Sequence, residues 1–420
     1  MATFYVDGTA QPFDDGASVL DALLAADRQI PHICRHESLA PLGTCDTCLV
    51  ELDGELVRAC LTPASAEQTI AVDSARARGA REEAVQRLLQ RHRLACTVCD
   101  NNGQCVLHDT VAALGIRDQT LPFRAKGYQE DLSHPFYAYR PDACILCGRC
   151  VEVCQDVAVN ETLAIDWSLA EPRVVWDGGQ PAGDSSCVAC GQCVSVCPVD
   201  ALIEKTMIGR AGYLTGMDPG VKAQLLDATK AVETDFGPLF ALSDMEAVLR
   251  KSRIKKTKTV CTYCGVGCSF EVWTRGREIL KVEPSPLAPA NGISTCIKGK
   301  FGWDFVNAPD RLTRPLVRDA DGFREASWEE ALSRVRDGFS RIVAEDGPGA
   351  VAVIGSSKCT NEEAYLTQKL ARQVFGTNNV DNCSRYCQSP ATMGLWRTVG
   401  YGGDAGSMQD IEQADLVLIV

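Results

Sequence analysis

Cys261-Thr-Tyr-Cys264-Gly-Val-Gly-Cys268, followed after 27 residues by Cys296-Ile-Lys298-Gly299, is the stretch from which the rest of the chain is read. Four thiolates spaced C-x2-C-x3-C-x27-C can hold either a tetrahedral metal ion or a cubane iron–sulfur cluster. Gly265 and Gly267 lack the Cβ that would stop the backbone from wrapping closely round such a centre. On this spacing alone a structural zinc site is a serious rival to a cluster. The decision falls to the other cysteines.

There are 22 cysteines in 420 residues. The first residues, Met1-Ala-Thr-Phe-Tyr, show no basic segment, no apolar segment behind it and no twin arginine. No apolar run approaches the length of a membrane span. So many cysteines without a secretory signal are expected to be metal ligands rather than disulfides, in a cytoplasmic protein of several domains. The net charge of −13 argues against nucleic acid as a partner.

The strongest pattern is a repeat. Cys144-x2-Cys147-x2-Cys150-x3-Cys154 recurs as Cys187-x2-Cys190-x2-Cys193-x3-Cys197, with Pro198 after the second run and Gln155 after the first. In the bacterial two-cluster ferredoxin signature the fourth cysteine of each run serves the other cluster. Cys144, Cys147, Cys150 and Cys197 are therefore expected to hold one [4Fe–4S] cluster, and Cys187, Cys190, Cys193 and Cys154 a second. With this repeat present, clusters are favoured over zinc for the remaining sets.

Two further sets lie upstream. Residues 1–74 open with a hairpin signal, Phe4-Tyr-Val6 before Asp7-Gly8, and a short helix signal, Val19–Ala25, behind Ser18. Cys34, Cys45, Cys48 and Cys60 follow. This unit resembles the [2Fe–2S] β-grasp ferredoxin domain at the front of respiratory complex I's large cluster-bearing subunit. His32 and His36 flank the first cysteine and are read as loop residues. In residues 75–125 a helix over Arg81–Arg93 carries Val85, Leu88, Leu89 and His92 on one face. Cys96, Cys99 and Cys105 follow, and His92-x3-Cys96-x2-Cys99-x5-Cys105 resembles the [4Fe–4S] module of the same subunit, with one histidine and three cysteine ligands. His108 is assigned nothing. Residues 126–210 are the two-cluster ferredoxin unit. Residues 211–254 read as a linker, with short helices at Lys222–Glu233 and Met245–Lys251. The basic run Arg250–Lys258 is a solvated segment, or else lies against a cluster or a pterin phosphate.

From 255 to 312 the opening motif, with Lys298 two residues after its last cysteine, resembles the cluster domain of the molybdenum/tungsten bis-pterin oxidoreductases. There a [4Fe–4S] cluster sits beside a pterin with the lysine between them. Residues 313–420 read as α/β. Capping boxes at Ser327–Glu330 and Thr360–Glu363 open helices, the first to about Ala344 and the second carrying Tyr365, Leu366, Leu370 and Val374 inward before stopping near Gly376. Ala350–Ile354 reads as a buried strand, and Gly355, Ser356 and Ser357 with Lys358 form a strand-to-helix turn, read either as a plain connecting loop or as one that touches pterin phosphate. The stretch from Thr360 to Pro390, with Asn378-Asn-Val-Asp381 before Cys387, resembles the molybdenum- or tungsten-dependent formate dehydrogenases. That resemblance makes Cys387 the metal ligand. Gln388 stands where the family usually has histidine. Cys359 and Cys383 are left as packed thiols. Ala414–Val420 reads as a buried parallel strand, and with it the chain is expected to be the front part of a longer protein, a substrate-clamping arginine lying beyond residue 420.

The fold expected is multidomain α+β and α/β, ending in the front part of a molybdopterin oxidoreductase catalytic domain. The resemblance implies a formate dehydrogenase catalytic subunit with one [2Fe–2S] and four [4Fe–4S] clusters and a molybdenum (or tungsten) bis-molybdopterin guanine dinucleotide. Formate would be oxidised to CO2, and electrons would pass to a flavin/NAD-linked or quinone-linked partner subunit. The rivals are a non-catalytic electron-carrying subunit of a complex I-like dehydrogenase and another bis-pterin oxidoreductase. An iron hydrogenase lacks support, since its Thr-Ser-Cys-Cys-Pro-type motif is absent.

Overall fold

The structure, a computed structural model, describes residues 2–92, 94, 96–210, 220–221, 224, 237–285, 287–403, 406, 410–411 and 413–418. The chain divides into two compact units, one of Met1–Val260 with Cys268–Asp304, the other of Cys261–Gly267 with Phe305–Val420.

The first unit begins with β1 (Ala2–Val6) and β2 (Thr9–Phe13), an antiparallel hairpin closed at Asp7-Gly8 with φ of 46° and 81°. Helix α1 (Val19–Ala25) follows, its Ser18 cap accepting the main-chain N–H of Asp21. Strands β3 (Leu49–Leu52), β4 (Glu55–Arg58) and β5 (Thr69–Ala71) complete a sheet of order β2-β1-β5-β3-β4, in which β1 and β5 run parallel. Phe4, Leu20, Leu23, Val50 and Ile70 fill the space between sheet and helix. The result is a mixed five-stranded sheet packed against one helix.

Helix α2 spans Ala75–Arg91, starting six residues before the expected Arg81 because Ser74 caps it, accepting from Ala77 N. Arg81 points inward and donates to the carbonyls of Leu49 and Val72. His92 is not on the helix but caps its C-terminus. Helix α3 (Val106–Leu114) follows. The next module pairs β6 (Tyr137–Tyr139) with the later β9 (Leu202–Glu204), and encloses α4 (Arg149–Glu152), the hairpin β7 (Leu163–Asp166) and β8 (Arg173–Trp176), and α5 (Gln192–Ser195). Its core is built round cysteines, with Tyr137, Tyr139, Val153, Trp176 and Leu202 among them.

The segment read as a linker contains α6 (Gly237–Arg253), longer than the expected Met245–Lys251 turn. The helix expected over Lys222–Glu233 lies, apart from residue 224, outside the described residues. Strands β10 (Lys255–Val260), β11 (Ser269–Arg275) and β12 (Glu278–Pro284) form an antiparallel sheet, and α7 (Ile297–Phe301) packs against β12. The basic run proves mixed. Arg250 is buried and donates to the carbonyls of Asp100 and Asn102, in the loop between Cys99 and Cys105. The lysines of β10 are exposed, Lys256 lying over the Trp273 ring.

The second unit holds the hairpin β13 (Leu316–Asp319) and β14 (Gly322–Glu325), then α8 (Trp328–Asp346). Ser327 caps α8, but Glu330 completes no capping box: its carboxylate is taken by Arg324. The strand expected at Ala350–Ile354 is shorter, β15 (Val353–Gly355), because Pro348–Ala350 forms a 3-10 turn, and Ile354 is exposed. Helix α9 (Asn361–Lys369) opens with the full Thr360–Glu363 capping box and runs on as a π-turn to a left-handed Gly376. β16 (Val380–Asn382) pairs parallel with β15, and α10 covers Ser389–Val399. Three expectations fail here. Tyr365, Leu366, Leu370 and Val374 are exposed rather than inward. Residues 414–418 form no strand, with Leu416 and Leu418 exposed, and residues 419–420 lie outside the described residues. Cys383 is exposed and Cys359 half-buried, so neither is a packed thiol. The common cause is that apolar periodicity states which face wants cover, while the cover comes from tertiary neighbours.

Among the described residues no helix is long and apolar enough to cross a membrane.

Candidate electron-transfer and pterin sites

Cys34, Cys45, Cys48 and Cys60 meet in one buried loop system. The Cys34 main-chain N–H donates to Cys45 Sγ at 3.4 Å, and Thr47 Oγ1 lies 3.0 Å from the same sulfur. Hydrogen bonds from Cys45 and Cys60 hold the Cys34 thiol well below its usual pKa, and those bonds push Cys45 and Cys60 up. His32 Nδ1 donates to the Ile30 carbonyl, and His36 Nδ1 accepts from Ser38 N, so both serve their own loop.

His92, Cys96, Cys99 and Cys105 line one cavity of about 490 Å³. His92 Nδ1 lies 2.8 Å from the Ala143 carbonyl oxygen. A carbonyl only accepts, so Nδ1 carries the proton and Nε2 keeps its lone pair. Burial holds the imidazole neutral, lowering its pKa to about 4. A neutral ring oriented through its distal N–H is the form that binds metal. His108 borders the same cavity: its main-chain N–H donates to Cys105 Sγ at 3.4 Å, and its Nε2 lies 3.0 Å from Ser243 Oγ.

The ferredoxin repeat is reproduced in the backbone. Leu146 and Ala189, one residue before the second cysteine of each run, adopt φ of 56° and 52°, and Gly148 and Gly191 follow at 84° and 76°. Left-handed residues other than glycine are unfavourable and persist only where the surroundings impose them. Here the result is a main-chain N–H aimed at sulfur: Leu146 N to Cys144 Sγ and Ala189 N to Cys187 Sγ, each 3.4 Å. Cys144, Cys147, Cys150 and Cys197 line one small cavity. Burial, and after it the neighbouring Cys190, Cys187, Cys154 and Cys197, push the Cys193 thiol well above its usual value. Burial pushes the Cys147 thiol up to about 12 and Cys197 to about 11. Such thiols ionise only beside a strong cation, which the irons of a cluster supply. Among the described residues no three His, Cys, Asp or Glu side chains gather about a single-ion position.

The opening motif is divided. Cys261 and Cys264 belong to the second unit, Cys268 and Cys296 to the first, so neither unit brings all four together. Lys298 is exposed on α7. Its neighbour Lys300, which the sequence did not single out, is fully buried, with Nζ 2.7 Å from Glu204 Oε1 and 2.9 Å from Glu283 Oε2. A Cβ on Gly191 would stand 2.7 Å from the Lys300 stem, so the α5 turn requires glycine.

In the second unit Gly355, Ser356 and Ser357 lie where β15 gives way to α9, at the carboxyl ends of the parallel pair. Gly355, Ser356, Asp381, Asn382 and Ser384 border a cleft of about 250 Å³ there. The turn carrying Cys387 is joined to this one: Ser357 N and Oγ lie 3.3 and 3.0 Å from Cys383 Sγ. Those contacts hold the Cys383 thiol below its usual pKa. Cys387 is exposed, two residues before α10, and its N–H donates to the Cys383 carbonyl. Gln388 precedes that helix, and its carboxamide makes no capping bond. Lys358 Nζ donates to the Tyr263 carbonyl, which ties the first half of the opening motif to the same turn. This edge presents serine hydroxyls and the exposed Cys387 thiol, while the Lys358 ammonium is held by Tyr263 and the Ser357 and Lys358 N–H groups by the Cys383 and Ser356 side chains.

Family models match the chain in five places. A 2Fe-2S iron-sulfur cluster binding domain covers residues 1–75, the NADH-ubiquinone oxidoreductase-G iron-sulfur binding region 81–120, and a 4Fe-4S dicluster domain 143–202. The molybdopterin oxidoreductase Fe4S4 domain covers 254–308, and the molybdopterin oxidoreductase model 311–420. A Bacillus subtilis (strain 168) protein named "Probable oxidoreductase YjgC" is 57% identical over 419 residues, 100% of this chain and 42% of that protein. A Staphylococcus aureus (strain USA300) protein named "Putative formate dehydrogenase" is 54% identical over 416 residues, 99% of this chain and 42% of that protein. The chain thus spans 42% of the length of the curated relatives it matches. The crystal structure of an NAD+-reducing [NiFe]-hydrogenase in the H2-reduced state is 30% identical, over 49% of this chain and 87% of that chain, with a TM-score of 0.46.

Proposed function

Because the chain belongs to the molybdopterin oxidoreductase family, we propose that it oxidises formate at a molybdenum or tungsten centre and passes the electrons through its own iron–sulfur clusters. Five sets would hold the clusters: Cys34, Cys45, Cys48 and Cys60 the [2Fe–2S]; His92, Cys96, Cys99 and Cys105, the two crossed ferredoxin sets, and Cys261, Cys264, Cys268 and Cys296 the four [4Fe–4S]. The observation that carries the reading is the joining of the Cys387 turn to the Gly355–Ser357 turn through Ser357 and Cys383, at the carboxyl ends of parallel strands.

A bis-pterin metal centre, when bound, supplies the two-electron chemistry. The chain's own residues bind and orient. Gly355, Ser356 and Ser357 would receive pterin phosphate, Cys387 would ligate the metal, and Gln388 would orient formate by hydrogen bonding. Lys298 would stand beside the cluster that takes the first electron. The partner would be a flavin/NAD-linked or quinone-linked subunit. Formate as substrate is supported by the 360–390 stretch and by the relative named for that activity. The second reading, a complex I-like electron carrier, is favoured by the match over 81–120 alone.

The test is formate-dependent reduction of a viologen dye by the protein loaded with clusters, metal and pterin. Formate should reduce the dye, and nitrate should fail to reoxidise it. Dye reduction by NADH through a partner subunit, with none by formate, would move the assignment to the second reading.

A further inference from the structure

Four cysteine sets lie in the first unit, and two of their junctions each enclose a buried cation. Lys126 is 7% exposed, and its ammonium donates to the carbonyls of Arg91, Pro141 and Cys144 at 2.8, 2.6 and 2.7 Å. Arg91 adjoins His92, and the His92 ring is tied to Ala143, next to Cys144. Lys126 therefore stands where the His92 set meets the Cys144 set. Arg149 is 6% exposed and donates to the carbonyls of Arg35, His32 and Val196. Arg35 follows Cys34, and Val196 precedes Cys197. Thr44 Oγ1 donates to the Cys147 carbonyl at 2.9 Å across the same junction. Arg149 therefore stands where the Cys34 set meets the Cys144 set.

Arg250, also buried, is caged likewise by the Asp100 and Asn102 carbonyls, but it touches the His92 set alone, whereas Lys126 and Arg149 each stand between two sets. Lys300, buried, and Arg140, half-buried, face carboxylates that offset their charge. The hydrogen bonds of Lys126 and Arg149 go to neutral main-chain carbonyls, which solvate a cation and leave its net charge in place. Asp142 accepts from the Lys126 main-chain N–H rather than from its ammonium. An uncancelled charge in a low-dielectric interior acts strongly on a neighbouring redox centre, because reduction adds negative charge beside it.

We propose that Lys126 and Arg149 raise the reduction potential of the cluster held by Cys144, Cys147, Cys150 and Cys197, making it the point where electron paths through the Cys34 set and the His92 set join. The proposal rests on the ligand reading above. Both are positioning charges, not catalytic residues.

The test is EPR-monitored redox titration of the reconstituted chain as wild type, Lys126→Met, Arg149→Met, Lys126→Arg and Arg149→Lys, with iron and sulfide measured in each. At the wild-type midpoint, each methionine variant should show its oxidised-to-reduced ratio raised at least about tenfold, which is about 59 mV for a one-electron couple. The charge-keeping variants should stay near wild type, and the Cys187-set cluster should move least. A wild-type chain that takes up the cluster, with both methionine variants at its potential, overturns the proposal alone. Loss of this one cluster from both methionine variants makes the cations folding staples and overturns it too. A wild-type chain that does not take up the cluster overturns the ligand reading, and the proposal with it.

Discussion

Lys300→Met is expected to lower the thermal midpoint of the chain by ~5–10 °C, the scale of a buried charge left without its partner, about 3–5 kcal/mol. Lys300 sits among Glu204, Glu283, the Val282 carbonyl and Ser195 Oγ, the last two at 2.7 and 3.0 Å. It joins α7 and β12 of one module to α5 and β9 of the ferredoxin module. Burial raises the Glu204 carboxyl, and Lys300 opposes that. Burial would also raise Glu283, but Lys281 and Lys300 overcome it and hold that carboxyl far below the usual range. Removing Lys300 leaves Glu204 without its cation and Glu283 with Lys281 alone. The Glu283 contribution has a defined pH sense. It is present above the unfolded carboxylate range near pH 4.3, and it is lost as pH falls toward the lowered folded value. Adding Glu204→Gln to Lys300→Met should recover part of the midpoint, since the amide needs no counter-charge. Differential scanning fluorimetry of the three proteins decides the matter, and an unchanged midpoint in Lys300→Met would show that the triad adds nothing net.

Cys387→Ser is expected to reduce formate-dependent dye reduction by at least about a thousandfold in the loaded protein, a loss of ~4 kcal/mol of transition-state stabilisation. The thiolate is a soft, charge-donating ligand, and the serine oxygen is harder and far less acidic. The iron content should be unchanged, because Cys387 belongs to none of the five proposed cluster sets. Gln388→His should retain activity and add an ionisation between pH 5 and 8 that the carboxamide cannot provide. Wild-type rates in Cys387→Ser with the metal still bound would remove the ligand role and send the search for the metal ligand elsewhere.

Cysteine chemistry made much of this protein readable. A cluster needs thiolates at fixed short separations along a loop, so the ferredoxin repeat announces itself in one dimension, and the backbone repeats it at Leu146 and Ala189. Hairpin and cap signals were local too, and Asp7-Gly8, Ser18 and Thr360 act as read. What escaped the sequence is what depends on distant partners. Lys126, Arg149 and Lys300 look like ordinary surface cations, since the carbonyls and carboxylates that enclose them come from other modules. Tyr365, Leu366 and Val374 show the converse, an apolar face read correctly as a face and wrongly as covered. Glu330 matched a capping box by spacing, but Arg324 outcompetes the Ser327 backbone for it. The exposure of Cys383 had no sequence signal, while Ser357, its partner, was already under notice as part of the phosphate turn.

The central claim is that five ligand sets, none sharing a cysteine, each hold a cluster. Iron and acid-labile sulfide, measured per chain after anaerobic reconstitution, test it most directly. The account predicts about 18 of each, the content of one two-iron and four four-iron clusters. Iron short by a whole cluster, with one or two zinc ions per chain in its place, would contradict it.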